Sequence, residues 1–230
     1  MEISIIIPAY NEEKIIGKSI SKVIGFLENK KFDYEIIVVD DCSKDRTKNI
    51  VNNLNSKKII LIENKKNIGK GYSIKKGILN AKKNLVLFSD ADLSTPIEEL
   101  NSLLKYIDDY DIVIGSRRMK KSVIKIKQPL YRRLPGNMFP ILVNFIILKD
   151  IRDTQCGFKL FKRDAAKNVF KKQRIRGFCF DVEILYLAKN AGYKIKEVPI
   201  TWNNFADSKV NAITDSIKMF IDLVKIRFKP

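Results

Sequence analysis

Five runs of Ile, Val, Leu and Phe recur through the first half of the chain: ISIIIP (3–8), EIIVVDD (35–41), IILIEN (59–64), LVLFSDAD (85–92) and DIVIGS (111–116). They are nearly continuous rather than alternating, as strands covered on both faces are, and helix-length segments separate them. The pattern predicts an α/β fold with a mainly parallel central sheet, helices on both faces, and ligands beyond the carboxyl ends of the strands. Thr95-Pro96-Ile97-Glu98 predicts a helix start, with Thr95 as N-cap, Pro96 in the first turn and Glu98 closing a capping box. The second half is less regular. Residues 157–161 and 194–201 read as strands flanking a helix over 180–191. The tail, 211–228, sets Ile213, Ile217, Phe220, Val224 and Phe228 on one helical face, with Lys218, Lys225 and Arg227 on another. No low-complexity linker interrupts the chain, so we read 1–210 as one domain with halves 1–117 and 118–210, followed by an amphipathic helix over 211–230.

The strand ends carry the polar residues. Pro8-Ala9-Tyr10-Asn11-Glu12 follows the first strand, Asp40-Asp41 the second, Asp90-Ala91-Asp92 the fourth and Arg117 the fifth, all at one edge of the predicted sheet. Residues i and i+2 of a strand share a side, so Asp90 and Asp92 start close together and repel unless a cation or hydroxyl donors sit between them. An oxygen-ligated Mg²⁺ or Mn²⁺ bridging a substrate diphosphate would relieve that repulsion. A helix-capping pair in a surface turn is the other reading, and Asp-x-Asp alone does not decide between them. Asn67-Ile68-Gly69-Lys70-Gly71 opens a helix but lacks the Walker spacing; it reads as a structural turn before a phosphate cradle.

Composition narrows the chemistry. The 230 residues contain no histidine, which removes histidine triads and histidine-held zinc, and three widely spaced cysteines, which match no zinc spacing and fit a reducing compartment. The net charge of +18 calls for a polyanionic partner: nucleic acid, an anionic membrane face or a phosphorylated substrate. Between Gly115 and Lys149 there is no acidic residue, while Arg117, Arg118, Lys120, Lys121, Arg132 and Arg133 fall there. Carboxylates lining the edge would repel a nucleic-acid backbone, so no nucleic-acid partner is expected. No apolar stretch approaches the roughly 18 to 20 residues of a spanning helix, and Met1-Glu2-Ile3-Ser4 runs into a strand without a basic leader, so neither export nor an integral anchor is expected.

PAYNEE (8–13), VVDDCSKD (38–45), DADLS (90–94) and GSR (115–117), in that order and each after a strand, resemble the family 2 glycosyltransferases of Rossmann-like GT-A fold. DTQCGFKLFKR (153–163), GFCFDVEILYLAKNAGYKIKEVPITW (177–202) and Ser208-Lys209-Val210 are similar to the dolichyl-phosphate glucosyltransferase branch, with the mannosyl branch a more distant fit. The resemblance implies that Pro8, Tyr10, Glu12, Val39 and Asp41 hold the nucleoside. Asp90 and Ala91 would line the nucleotide, and Asp92, helped by Ser94, would bind Mg²⁺ or Mn²⁺. Arg117, Arg132, Arg133 and Lys209 would meet the acceptor phosphate, and Asp181 would approach the acceptor. Asp181 and Glu183, two apart on a helix, do not face each other, so if one approaches the acceptor the other makes a structural hydrogen bond; Asp153 is a comparable case, with capping or loop ordering as the other reading. The mannosyl branch has an arginine where Asn203 stands, so this position is not carried over. The implied activity is an inverting transfer of a hexose from a nucleotide diphosphate sugar to dolichyl or another polyprenyl phosphate. UDP-glucose is favoured; UDP-N-acetylglucosamine, GDP-mannose and a hydroxyl acceptor in polysaccharide synthesis stay open. Such an enzyme would sit peripherally on the cytoplasmic face of a membrane, alone, as a homo-oligomer or with an anchoring partner.

Overall fold

The computed structural model describes residues 1–125, 142–144, 147–203 and 214–228; Arg132, Arg133, Lys209 and Ile213 lie outside them. In chain order the strands are β1 (Glu2–Ala9), β2 (Asp33–Asp40), β3 (Ile59–Glu63), β4 (Leu85–Ser89), β5 (Ile112–Ser116), β6 (Val123–Ile124), β7 (Phe158–Lys162), β8 (Ile195–Pro199) and β9 (Thr201–Trp202). Seven of them form one sheet in the order β3-β2-β1-β4-β7-β5-β8, and β6 pairs with β9. The sheet is parallel except at β7, which runs antiparallel to both β4 and β5. The second half of the chain thus supplies a strand to the middle of the sheet, and both halves contribute to the core on each of its faces.

Both faces of the central strands are covered, which is why their sequences do not alternate. Ile5 and Ile7 enter one core and Ile6 the other, all with no exposed surface. Each such side chain contributes roughly 1.5 to 3 kcal/mol of transfer free energy. Helix α1 (Ile16–Asn29) buries Ile16, Ile20, Val23 and Leu27, spaced as one helical face requires. Helix α2 (Thr47–Asn53) follows β2, and α3 (Lys70–Asn80) lies on the opposite layer from α1. Gly77 sets the approach of α3: a Cβ there would come 2.4 Å from Ile6 Cγ2, so only glycine lets this helix lie so near the sheet.

The capping box expected at Thr95 does not form. Pro96 is extended (φ −56°, ψ 143°), a short 3₁₀ turn runs over Ile97–Glu99, and α4 occupies only Leu100–Leu104, with no side-chain cap. Thr201 N donates to Glu99 Oε1 at 2.9 Å, tying the first turn to the 201–203 segment. The fourth strand also ends at Ser89, so both aspartates lie in the turn beyond it.

Helices α5 (Arg163–Lys172), α6 (Phe180–Asn190) and α7 (Thr214–Phe228) complete the chain. On α7 the residues that pack inward are Met219, Leu223 and Ile226. Of the apolar stripe read from the sequence, Phe220 (50% exposed), Val224 (41%) and Phe228 (77%) face outward. No helix among the described residues is long and apolar enough to cross a membrane.

Candidate active site

The carboxyl ends of β1, β2, β4 and β5 and the beginning of antiparallel β7 meet at one edge, and backbone strain gathers there. Asn11 (φ 52°), Cys42 (φ 64°) and Leu93 (φ 48°) all adopt the left-handed region that non-glycine residues avoid. Local bonds hold them. Asn11 N donates to Ser43 Oγ at 2.8 Å, Lys44 N to Asn11 Oδ1 at 2.7 Å and Glu12 N to Thr47 Oγ1 at 2.7 Å, lacing the loop after β1 to the loop after β2. Pro8 lies beside Val39 in register, and Tyr10 and Glu12 are half-buried on the laced loop. Two residues expected in the nucleoside pocket are buried in the structure. Val39 has no exposed surface because it packs in the core beneath α3, so its side chain offers a ligand nothing. Asp41 is buried and accepts from Asn64 Nδ2 (2.8 Å), Ile68 N (3.0 Å) and Gly69 N (2.8 Å), so its charge is spent on the amides at the start of α3.

Those bonds explain the Asn67–Gly71 turn. It is structural, as its spacing suggested, but it delivers Lys70 to the aspartate pair: Lys70 Nζ stands 2.5 Å from Asp90 Oδ1. Beneath it, Gly157 packs so tightly on Asp90 that a Cβ would fall 2.1 Å from the carboxylate. Asp92 Oδ1 accepts from Ser94 N at 2.8 Å, and Ala91 between the two aspartates is buried. Burial, then the neighbouring Asp90 charge, raises the Asp92 pKa above the ordinary carboxylate value, against bonds from Ser94. A carboxylate destabilised in this way gains from a cation. Among the described residues no three acidic, cysteine or histidine side chains converge to hold a metal by themselves. Asp92 with the Ser94 hydroxyl therefore fits a hard divalent ion only if substrate phosphate and water complete its shell.

A second layer lies under the pair. Lys159, in the apolar run of β7, has no exposed surface; its Nζ donates to Asp181 Oδ1 and, at 2.5 Å, to Cys156 O. Asp181, the first acidic residue of α6, is 4% exposed. Asp181, expected to approach the acceptor, is the counter-ion of a buried lysine in the structure, because an ammonium sealed in the sheet must be paired. Burial raises its pKa, and Lys159 and Lys70 oppose the shift. Glu183 orders the loop before α6, accepting from Arg174 N and Ile175 N at 2.8 Å each.

Arg117, at the end of β5, is likewise paired. Its Nε and Nη2 donate to Asp153 Oδ2 (2.7 Å) and Oδ1 (2.8 Å), its backbone N donates to the same carboxylate, and its guanidinium lies 5.5 Å from the Trp202 ring centre. Asp153 is sealed from solvent. Burial would raise its carboxyl, but the Arg117 charge and bonds outweigh that and hold it down at about 2. Asn203 N donates to Ser94 O at 2.7 Å, which brings the 201–203 segment against the aspartate turn.

Residues 4–170 match glycosyl transferase family 2. The chain belongs to that family. A dolichyl-phosphate beta-glucosyltransferase of Trichomonas vaginalis is 40% identical to it, over 96% of this chain and 69% of that protein. The dolichyl-phosphate beta-glucosyltransferase of Homo sapiens is 34% identical, over 99% and 75%. Among solved structures, glucosyl-3-phosphoglycerate synthase from Mycobacterium tuberculosis in complex with Mn²⁺, uridine diphosphate and phosphoglyceric acid superposes with a TM-score of 0.71 at 16% identity, over 99% of this chain and 79% of that one. That likeness is one of fold, and the fold is GT-A. As a family 2 glycosyltransferase the chain has two residues at its site that the sequence reading missed, Lys70 and Lys159. The signal for Lys159 was present: a single charge inside Phe158-Lys159-Leu160-Phe161, a strand apolar on both sides, needs a buried partner.

Proposed function

We propose that the enzyme transfers glucose from UDP-glucose to dolichyl phosphate or a related polyprenyl phosphate, with inversion, giving a β-linked lipid-phosphate sugar. The observation that carries this reading is the 40% identity to a dolichyl-phosphate beta-glucosyltransferase over 96% of the chain, well past the end of the family 2 match at residue 170. The chemistry agrees with it. A phosphomonoester has a second pKa near 6, so at neutral pH it is already a nucleophile and needs no base. That suits a site whose buried carboxylates, Asp153 and Asp181, are each committed to a cation.

On this reading Asp92 and Ser94 hold Mg²⁺ or Mn²⁺. Bound there, the ion would neutralise charge on the leaving diphosphate. Pro8, Tyr10 and Glu12 form the nucleoside side of the edge, and Asp90 and Ala91 line the diphosphate. Asp153 holds Arg117 rigid so that its guanidinium edge is presented to the acceptor phosphate with little loss of side-chain freedom. Arg132, Arg133 and Lys209 are assigned to the same phosphate. The acceptor's hydrocarbon chain and the membrane would be met by α7, whose exposed Phe220, Ile221, Val224 and Phe228 stand beside Lys218, Lys225 and Arg227. A cavity of about 740 Å³ between α6, α7 and the 174–178 loop reaches Asn67 and Gly69 beside Lys70, and Arg174 and Arg176 line it.

The test is transfer of radiolabelled sugar into an organic-extractable product, run with UDP-glucose, UDP-N-acetylglucosamine and GDP-mannose against dolichyl phosphate and free dolichol. UDP-glucose with dolichyl phosphate should give product. Free dolichol should not, and Asp92→Asn should lose transfer at least a hundredfold while keeping its melting temperature. Efficient glycosylation of the free alcohol would overturn the phosphate-acceptor reading.

A further inference from the structure

Lys70 has no part in the roles assigned above, yet it is ion-paired with the first member of the aspartate pair. Its base is fixed. Asp41 pins the amides of Ile68 and Gly69, Gly69 adopts φ +123°, and a Cβ on Gly71 would fall 2.6 Å from Phe180 Cβ, so the start of α3 cannot shift. The side chain is different. It is 25% exposed and reaches over the edge to Asp90. Asp181, the neighbouring carboxylate on its inner side, cannot follow it outward, because Lys159 holds it from below. Burial works against the Lys70 charge, but Asp90, Asp181 and Asp92 outweigh it and keep the ammonium protonated.

The charges therefore form a ladder from core to surface: Lys159, Asp181, Lys70, Asp90, with Asp92 beside the last. Three carboxylates face two ammoniums, leaving a remainder of one negative charge. A divalent ion approaching Asp92 meets an ammonium already seated on Asp90, and the like charges repel across a few ångströms. When a diphosphate arrives, both cations acquire anionic partners and the repulsion is relieved.

We propose that Lys70 couples donor binding to metal binding, as a tethered cation that neutralises Asp90 in the free enzyme and turns to the donor's diphosphate when it arrives. The inference rests on the donor reading given above. It makes the free enzyme bind metal weakly, and it gives one residue opposite effects on the two ligands.

The experiment measures Mn²⁺ alone, by electron paramagnetic resonance, and UDP alone, by calorimetry without metal, on wild type, Lys70→Met and Lys70→Arg. Lys70→Met should bind Mn²⁺ about tenfold more tightly and UDP about tenfold more weakly, while Lys70→Arg stays within about twofold of wild type for both. Circular dichroism reports folding, and Lys70→Gln replaces the methionine variant if that one is unfolded. Mn²⁺ affinity unchanged or weakened in a folded Lys70→Met, or UDP affinity unchanged, would overturn the inference and leave the donor reading intact. A wild-type protein that bound neither Mn²⁺ nor UDP would overturn both.

Discussion

Asp153 commits both carboxylate oxygens to one guanidinium and is itself sealed from water. Its carboxyl, held at about 2, lies below the ordinary value of about 3.9. The sign follows: the ion pair stabilises the fold fully above pH about 4 and loses that contribution as pH falls through about 2. Asp153→Asn should cost about 3 kcal/mol near neutrality, because Arg117 keeps its charge without a partner. The gap to wild type should narrow between pH about 4 and about 2, as measured by urea denaturation across that range. A gap independent of pH would mean that the pair contributes through packing alone. At this scale the sequence was a good guide to which residues gather at the edge and a poorer one to which way they face. Asp90, Asp92 and Arg117 were legible because each lies within a few residues of a strand's carboxyl end. Asp41 does too, but a carboxylate at a strand end can turn toward a ligand or toward the amides of the next helix, and nothing local distinguishes the two. Lys70 meets Asp90 only once the start of α3 and the end of β4 are brought to the same sheet edge, a pairing that no local pattern marks.

Helix α7 carries two apolar stripes with different work. Leu223 and Ile226 are buried against the body, so Leu223→Ala should cost about 2 to 5 kcal/mol of stability. Phe220 and Phe228 face out, so replacing both with serine should leave stability within about 0.5 kcal/mol but release the protein from anionic phospholipid vesicles in a sedimentation assay. Unchanged vesicle binding would remove α7 from the membrane reading. The helical period was plain in the sequence, but periodicity cannot say which of two adjacent stripes faces inward. The long strands were readable for the opposite reason, since an apolar run covered on both faces has no orientation to choose. The two-residue strands β6 and β9 were not, because pairing so short is set by where Ser116 and Ser94 hold the chain: Ile200 N donates to Ser116 O and Asn203 N to Ser94 O. Thr95 and Glu98 fit a cap locally, but Pro96 stayed extended and the neighbouring Glu99 found Thr201 N instead.

The whole molecule carries +18, far more than its site needs. Long-range attraction of that kind is screened by salt, with a Debye length of about 10 Å at 0.1 M falling to about 3 Å at 1 M. Raising NaCl from about 0.05 to about 0.5 M should therefore release wild type from anionic vesicles while changing UDP binding, in the presence of Mn²⁺, by less than about threefold. Equal sensitivity of the two would place the excess charge at the donor site. The division into halves read from the sequence follows the motifs but not the sheet, since hydropathy marks 157–161 as a strand but not its direction or its place between β4 and β5. That strand has a consequence for how the protein is made. A chain leaving the ribosome can assemble β1 to β4 early, but β4 has no neighbour on its outer side, and β5 has no route into the sheet, until Lys162 has emerged. Throughout that interval the newborn enzyme exposes an open, apolar strand edge, the surface that chaperones shield and aggregates grow from.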